Sequence, residues 1–537
     1  MKDYKLIRNK SFWFTLLCAG FVLSLTLWFD FGPDQAIYSY IAMVWKKYHL
    51  LPYVGAFAYN FPGTAILHRL VLEIFGNSML GLRIFDFLGQ SASLVMIYYL
   101  AFRLSGKGSA GFLAGMFYSI FYIGLNAFNT AQKDDFVLWF LLAAVCITLY
   151  LENWRWLGKI LTGLLLGFAF LLKPTYGLTW PVLGIWFLVN EFKARPKLIW
   201  AELLAYSLSC LLPALVIILI YWQANQLKEL YWSTIWYGFE IYAKIAPVSF
   251  PGRIIKGMIF ILYSLLNQTP LTLSAAGFGI LFGIRNWREL KRRKEFSLVL
   301  LMMISAYISC WAQGRNNPYH HTPVLGFAFI LSGAGWAWMG SQLENRGSIF
   351  LNKIFAWTLY LFLVVLMLAG LPGKQLKFFA LYPYRGLERA YAHQEHIFDL
   401  EDQRAAAAYL KPLLRPEDQI EYLGWHPFLP YLLGKKIPTR FCAVSHLLMR
   451  HYDGQLRPRQ VEWRKEFVSS IITARPRFFI ISTYKPRGET MLLKNYDLKS
   501  VMENEFPELY RFFKENYRLV KLIGLIEIYE LVPEASQ

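Results

Sequence analysis

The sequence predicts an α-helical, polytopic membrane protein that ends in an α/β domain. Three observations carry that prediction. Of 537 residues, 56% are apolar and only 17% charged, where a soluble protein carries roughly a quarter charged residues. The apolar residues fall into runs near the ~20 residues that a membrane-spanning helix needs. From residue 372 these runs stop, and polar helices with short β-rich stretches take over. The 19 Trp, 33 Tyr and 43 Phe exclude a disordered chain, because so much aromatic surface must be buried.

About eleven spans are expected by the length criterion. They lie near 11–29, 83–104, 109–128, 135–151, 157–173, 175–190, 199–222, 258–284, 296–313, 322–341 and 353–371. Asn267-Gln268-Thr269-Pro270 interrupts the eighth, which reads as one span, an interfacial helix plus a span, or two spans. With the N-terminus in the cytoplasm, the short inner segments hold 19 Lys and Arg, against 11 spread over longer outer segments before residue 371. Cytoplasmic loops carry such an excess. The net charge of +20 therefore reports orientation and not a nucleic-acid partner. An odd number of spans places the tail outside. The expected location is the plasma (inner) membrane, with a cytoplasmic N-terminus and an extracytoplasmic C-terminal domain. The first span has no small-residue cleavage site after it and reads as a retained anchor.

The chain thus divides into a membrane part, 1–371, and a soluble α/β part, 372–537. The tail contains two strand-like stretches, Gln419–Gly424 and Arg477–Ser482. One of the five cysteines, Cys442, lies in the tail, so no disulfide forms within that domain. There is no internal repeat, zinc spacing, Walker motif or dinucleotide fingerprint.

Charge beside an apolar span is costly and marks a candidate site. The first outer loop places Asp34 directly after the first span, at the start of an amphipathic helix carrying Tyr38, Ile41, Ala42 and Trp45. Read alone, Asp34 is a helix-start acid favoured by the backbone dipole. The loop runs on through Tyr59-Asn60-Phe61-Pro62-Gly63. Asp134 and Asp135 precede the fourth span and read as N-cap acids or as a site. Lys173 ends the fifth span and either snorkels to head groups or binds a phosphate. Arg315, Tyr319, His320 and His321 form an outer turn, as interfacial anchors or as donors to an anion. Under this topology all these charged groups fall on one outer face. A carboxylate base with phosphate-binding cations is what group transfer from a lipid phosphate requires.

In these motifs the chain resembles the GT-C glycosyltransferases, in the branch of protein O-mannosyltransferases and lipid A aminoarabinose transferases. Asp34 and Tyr38 match the acid and Tyr after the first span. Pro52, Pro62 and Phe75-Gly76 match the loop and helix that follow. Asp134 or Asp135 matches a second acid; Leu171, Lys173 and Gly177 match a segment after the fifth span; Arg315, Tyr319 and Pro323 match a third. Two departures stand out: Gln35 where the family usually has Glu, and Asn60-Phe61-Pro62 where it often has Lys-Pro-Pro.

The resemblance implies a GT-C fold with an extracytoplasmic tail domain. It implies transfer, with inversion, from a polyprenyl-phosphate sugar to a hydroxyl of a lipid, glycan or protein. Asp34 would be the general base, and Asp134 or Asp135 would position the acceptor. Tyr38, Asn60, Lys173, Arg315, Tyr319, His320 and His321 would hold the phosphate or lipid. A divalent metal ion is left open as a cofactor, on Asp34, Asp134 or Asp135. The aromatic segment Tyr231-Trp232 to Trp236-Tyr237, with Glu240 and Tyr242, reads as an interfacial belt or as a cover that grips lipid. The competing readings are a flippase or transporter of a lipid-linked sugar, and an O-antigen ligase or polymerase.

Overall fold

The computed structural model describes residues 8–245, 270–285, 292–313, 317–344, 349–369, 371, 399–485 and 497–532. In chain order the helices begin with α1 Lys10–Ser24, α2 Pro33–Tyr48, α3 Gly63–Phe75, α4 Met79–Ser105, α5 Gly108–Gly124, α6 Lys133–Tyr150, α7 Arg155–Leu172, α8 Thr179–Glu191 and α9 Leu198–Gln223. A π-helix covers Tyr231–Ile241. Then come α10 Pro270–Arg285, α11 Arg293–Ala312, α12 Thr322–Glu344 and α13 Ile349–Ala369. A helix therefore lies in the described part of every expected span. Among the described residues, six helices are long and apolar enough to cross a membrane: Lys10–Trp28, Met79–Ser105, Arg155–Leu172, Leu198–Gln223, Arg293–Ala312 and Pro318–Gln342. Residues 258–269 of the eighth expected span lie outside the described residues. The sixth is shorter than its apolar run. Pro174 opens a 3-10 turn over Pro174–Leu178, which leaves α8 only 13 residues, since proline has no N–H to continue a helix.

The chain forms two compact units. The first comprises Met1–Phe29, Leu82–Leu219 and Val248–Leu387. Its helices approach closely through small residues. A Cβ on Gly163 of α7 would lie 2.5 Å from the Tyr206 carbonyl of α9, and one on Gly167 would lie 2.5 Å from the Cys210 carbonyl. Small residues four apart let backbones meet in this way where no hydrophobic drive separates helix from lipid.

The second unit comprises Asp30–Gly81, Ile220–Pro247 and Glu388–Gln537. Two segments before residue 371, Asp30–Gly81 and Ile220–Pro247, belong to this unit. Its C-terminal part holds α14 Leu400–Leu410, α15 Phe428–Leu433, α16 Pro458–Ala474, α17 Leu498–Glu505 and α18 Pro507–Asn516. The strands are β1 Ile420–Leu423, β2 Phe478–Ser482, β3 Tyr517–Ile523 and β4 Ile526–Leu531, in the order β1-β2-β4-β3. β1 and β2 are parallel, while β4 pairs antiparallel with both β2 and β3. The first two coincide with the strands expected from the sequence. The β3–β4 hairpin was not anticipated.

The core of this unit explains its three-segment make-up. Trp463 and Phe467 of α16, Phe479 and Ile481 of β2, and Phe513 of α18 pack with Phe57 from the first loop and Tyr237 and Ile241 from the π-helix. The Phe57 ring lies 4.9 Å from Trp463 and 5.5 Å from Tyr237. Backbone and side-chain bonds lock the seam. Phe57 N–H donates to the Arg440 carbonyl at 2.7 Å, and Tyr237 hydroxyl to the His446 carbonyl at 2.9 Å. Arg440 pairs with Glu229 and, at 2.7 Å, with Glu466. Trp232 and Trp236 pack against the same core. One face of the aromatic segment 231–242 is therefore structural, and Tyr231, Ile235 and Phe239 remain exposed.

Truncating Phe57 to Ala should destabilise the second unit by about 3–5 kcal/mol, the range for a buried aromatic. A melt of the solubilised protein followed by tryptophan emission reads this; an unchanged midpoint refutes the shared core. A second expectation concerns Glu421 of β1, which is fully buried. Burial pushes its carboxyl up to about 8 from 4.5, only partly opposed by the Tyr422 N–H and Lys436. The folded state then holds a proton that the unfolded state has released, so stability falls as pH rises from about 4.5 to about 8. Glu421→Gln should melt higher than the unmodified protein at and above pH 8, and equally below pH 4.5, in thermal scans across that range.

Candidate functional site

The candidate residues divide between the two units. In the first, α6 opens with Lys133-Asp134-Asp135, and the two acids have different fates. Asp135 closes a capping box: its carboxylate accepts the Gln132 N–H at 2.9 Å, satisfying a donor that a helix start leaves open. It also accepts from Tyr122 hydroxyl at 3.4 Å. Asp134 points elsewhere. Fully buried, it takes the Lys173 ammonium at 2.6 Å and the Tyr176 hydroxyl at 3.0 Å. Lys173 stands where α7 ends and Pro174 turns the chain, which aims its side chain at the α6 start. His320 lies within electrostatic reach of Asp134. His321 meets Cys310 Sγ through Nδ1 at 3.4 Å, and Tyr319 hydroxyl accepts from Asn317 at 3.1 Å. Arg315 lies outside the described residues.

Two buried groups in this unit were missed in the sequence. Asp86 of α4 accepts from Tyr122 hydroxyl at 2.8 Å and from Gln90 at 2.9 Å. Arg83 donates to the Phe29 and Ala127 carbonyls and to Thr130. Arg83, Asp86 and Gln90 recur at helical spacing inside an apolar run, so their periodicity carried the signal.

In the second unit, Asp34 occupies the first turn of α2, after Gly32 as N-cap and Pro33. Among the described residues its half-buried carboxylate makes no hydrogen bond or ion pair. It does not cap its own helix. Tyr59 and His426 both lie in its electrostatic reach. Tyr59 stacks on Tyr242 with ring centres 4.4 Å apart, and its ring lies 5.5 Å from His446. Burial first, and then Tyr242, Tyr38 and Asp34, raise the Tyr59 phenol well above its ordinary value, so it stays protonated. His426 Nδ1 sits 3.1 Å from the Gln403 amide, and burial lowers its pKa although Asp399 and Asp34 oppose that. Tyr38 lies one turn beyond Asp34, its ring 5.6 Å from His68. The Asn60 carbonyl accepts from Tyr53 hydroxyl at 2.7 Å, closing the loop. The neighbouring acid Asp30 is committed to Arg404.

Among the described residues, no three His, Cys, Asp or Glu side chains are placed to hold a metal ion. At Asp134 the Lys173 ammonium already supplies the compensating charge.

That ion pair makes a test. Lys173→Met should cost about 3–5 kcal/mol by leaving a buried carboxylate uncompensated. Lys173→Met with Asp134→Asn should recover most of it. Thermal midpoints of the four proteins check this, and additive losses refute the coupling.

A family profile described as dolichyl-phosphate-mannose-protein mannosyltransferase matches residues 60–217. A search of the curated proteins by sequence found no match. By structure the chain is similar to ArnT from Cupriavidus metallidurans bound to undecaprenyl phosphate, with TM-score 0.58 and 13% identity over 98% of this chain and 99% of that one. The apo form of that ArnT gives TM-score 0.57 and 13% identity over 97% of each chain. The chain, a multi-pass membrane protein by its apolar helices, therefore has the fold of that ArnT, and its residues 60–217 are similar to the dolichyl-phosphate-mannose-protein mannosyltransferase profile.

Proposed function

We propose that the protein transfers a sugar from a polyprenyl-phosphate donor to a hydroxyl acceptor outside the cytoplasm, with Asp34 as general base. The observation that carries this reading is the state of the acids. Asp30, Asp86, Asp134 and Asp135 each have a hydrogen-bonding partner, whereas Asp34 has none among the described residues. A carboxylate that is half-buried, ionisable and uncommitted is free to take a proton.

In the transfer, the acceptor hydroxyl oxygen attacks the anomeric carbon while its proton passes to Asp34. The bond from that carbon to the phosphate oxygen breaks, and the polyprenyl phosphate leaves with the electron pair. Attack opposite the leaving group inverts the anomeric centre. Protonated Tyr59 donates but does not compete as a base. Lys173 carries the phosphate role: Asp134 fixes its ammonium, which has two N–H donors left after that bond. His320, His321 and Tyr319 line the same turn as further donors. The chain's likeness to an ArnT solved with undecaprenyl phosphate supports the donor class. The acceptor is a lipid, glycan or protein hydroxyl.

Asp34→Asn should lower transfer from a polyprenyl-phosphate sugar by at least ~100-fold, the lower end for loss of a general base. Its melting midpoint should stay unchanged. Near-normal transfer overturns the assignment. Sugar-lipid translocation by a protein that transfers nothing favours a flippase, and transfer only from a diphosphate donor favours a ligase or polymerase. Mass spectrometry of co-purified lipid identifies the donor.

A further inference from the structure

A second polar region of the first unit plays no part in the proposed transfer. It lies at the C-terminal end of α6, whose 18 residues put it about 25 Å from Asp134 at a rise of ~1.5 Å per residue. There the ends of α4, α6, α7, α8 and α11 surround a cavity of about 350 Å3. Four cations line it: Arg103, Arg155, Lys159 and Lys294.

The donor arithmetic of these cations is unbalanced. A guanidinium carries five N–H donors and an ammonium three. Arg103 uses three, on Glu295 and Glu152 at 3.4 Å each and on Tyr99 hydroxyl at 2.8 Å. Arg155 uses one, on Glu191 at 3.3 Å. Lys159 uses two, on Glu191 at 2.8 Å and Glu202 at 2.5 Å. Lys294 side chain uses none among the described residues. Among the described residues, most of the donors of these four cations thus lack a protein acceptor. The carboxylates beside them are already engaged. An oxygen-rich anion satisfies several such donors at once, as phosphate does for Arg and Lys.

The surroundings define the source of that anion. The turn joining α6 to α7 contributes Leu151, Glu152 and Arg155 to the cavity. Flanking them in the same turn, Tyr150, Trp154 and Trp156 are 62%, 68% and 45% exposed. Exposed Trp and Tyr collect at head-group depth in a bilayer. We propose that this cavity binds the phosphate of a membrane phospholipid head group, with Arg155 and Lys294 as the principal donors. The deep Lys159–Glu202 pair, each side chain 2% exposed, forms a fixed floor.

The test uses the full-length chain, solubilised and stripped of lipid. It is titrated with short-chain phosphatidylglycerol, with glycerol phosphate, and with diacylglycerol of the same chains, and the thermal midpoint is followed. Phosphatidylglycerol should raise the midpoint saturably. Glycerol phosphate should bind at least about tenfold more weakly, and diacylglycerol should have no effect. Arg155→Gln with Lys294→Gln should weaken the phospholipid by at least about tenfold, the loss of one charged hydrogen bond. Equal binding by the double variant overturns the site. Equal binding of glycerol phosphate assigns it to a soluble phosphate and overturns the lipid. An equal shift with diacylglycerol, read on the unmodified protein, overturns the phosphate contact even if the variant fails to fold. None of these readouts depends on glycosyl transfer.

Discussion

A charge taken out of water must be compensated where it lands, and that constraint organises most of this molecule. The cost of an isolated buried ion is several kcal/mol even after the protein relaxes. Several deeply buried charged groups therefore recruit a partner from another helix. Asp134 on α6 holds Lys173 at the end of α7, and Lys159 on α7 joins Glu202 on α9. Asp86 on α4 takes the Tyr122 hydroxyl of α5. Such pairs are modest in net energy, but each is satisfied in only one register of its helices. They specify which helix faces which, where apolar side chains alone would tolerate sliding. The same rule singles out Asp34, which stands half-buried at a helix start with no such partner among the described residues.

The second unit rests on a different kind of closure. Its four-stranded sheet presents aromatic side chains that its own helices do not fully cover. Phe57 and Tyr237, brought from two distant segments, complete the cover over Trp463. The loop that carries Asp34 is thereby fixed to the same body as His426 and Tyr242. The position of the candidate base is set by hydrophobic packing of its own loop and not by a bond to the carboxylate itself.

How much of this was legible depends on the range of the interaction involved. Helix positions follow from apolar runs, which are local, so the described part of every expected span contains a helix. β1 and β2 were legible because β-branched and aromatic residues cluster there. β3 and β4 interleave charged with apolar residues, and β3 is largely exposed, so neither has a continuous apolar run. The cap role of Asp135 was among the readings its position allowed. The partner of Lys173 was not, because 39 residues separate it from Asp134 and nothing local links them. Asp86 was passed over although it shares a helix face with Arg83 and Gln90. The three-segment core was illegible in principle: Phe57, Tyr237 and Trp463 have no mutual pattern along the chain.

That core has a consequence for how the protein is made. Phe57 enters a core whose central tryptophan is synthesised some four hundred residues later. Non-local closure of this kind is slow, because loop entropy is lost before any contact rewards it. During synthesis the first loop and the π-helix must wait with aromatic surface uncovered, the state in which chains aggregate. A ribosome stalled before residue 388 would release helices already able to form but a loop with nothing to fold against. The C-terminal segment therefore supplies, late in synthesis, the partners against which the loop bearing Asp34 packs.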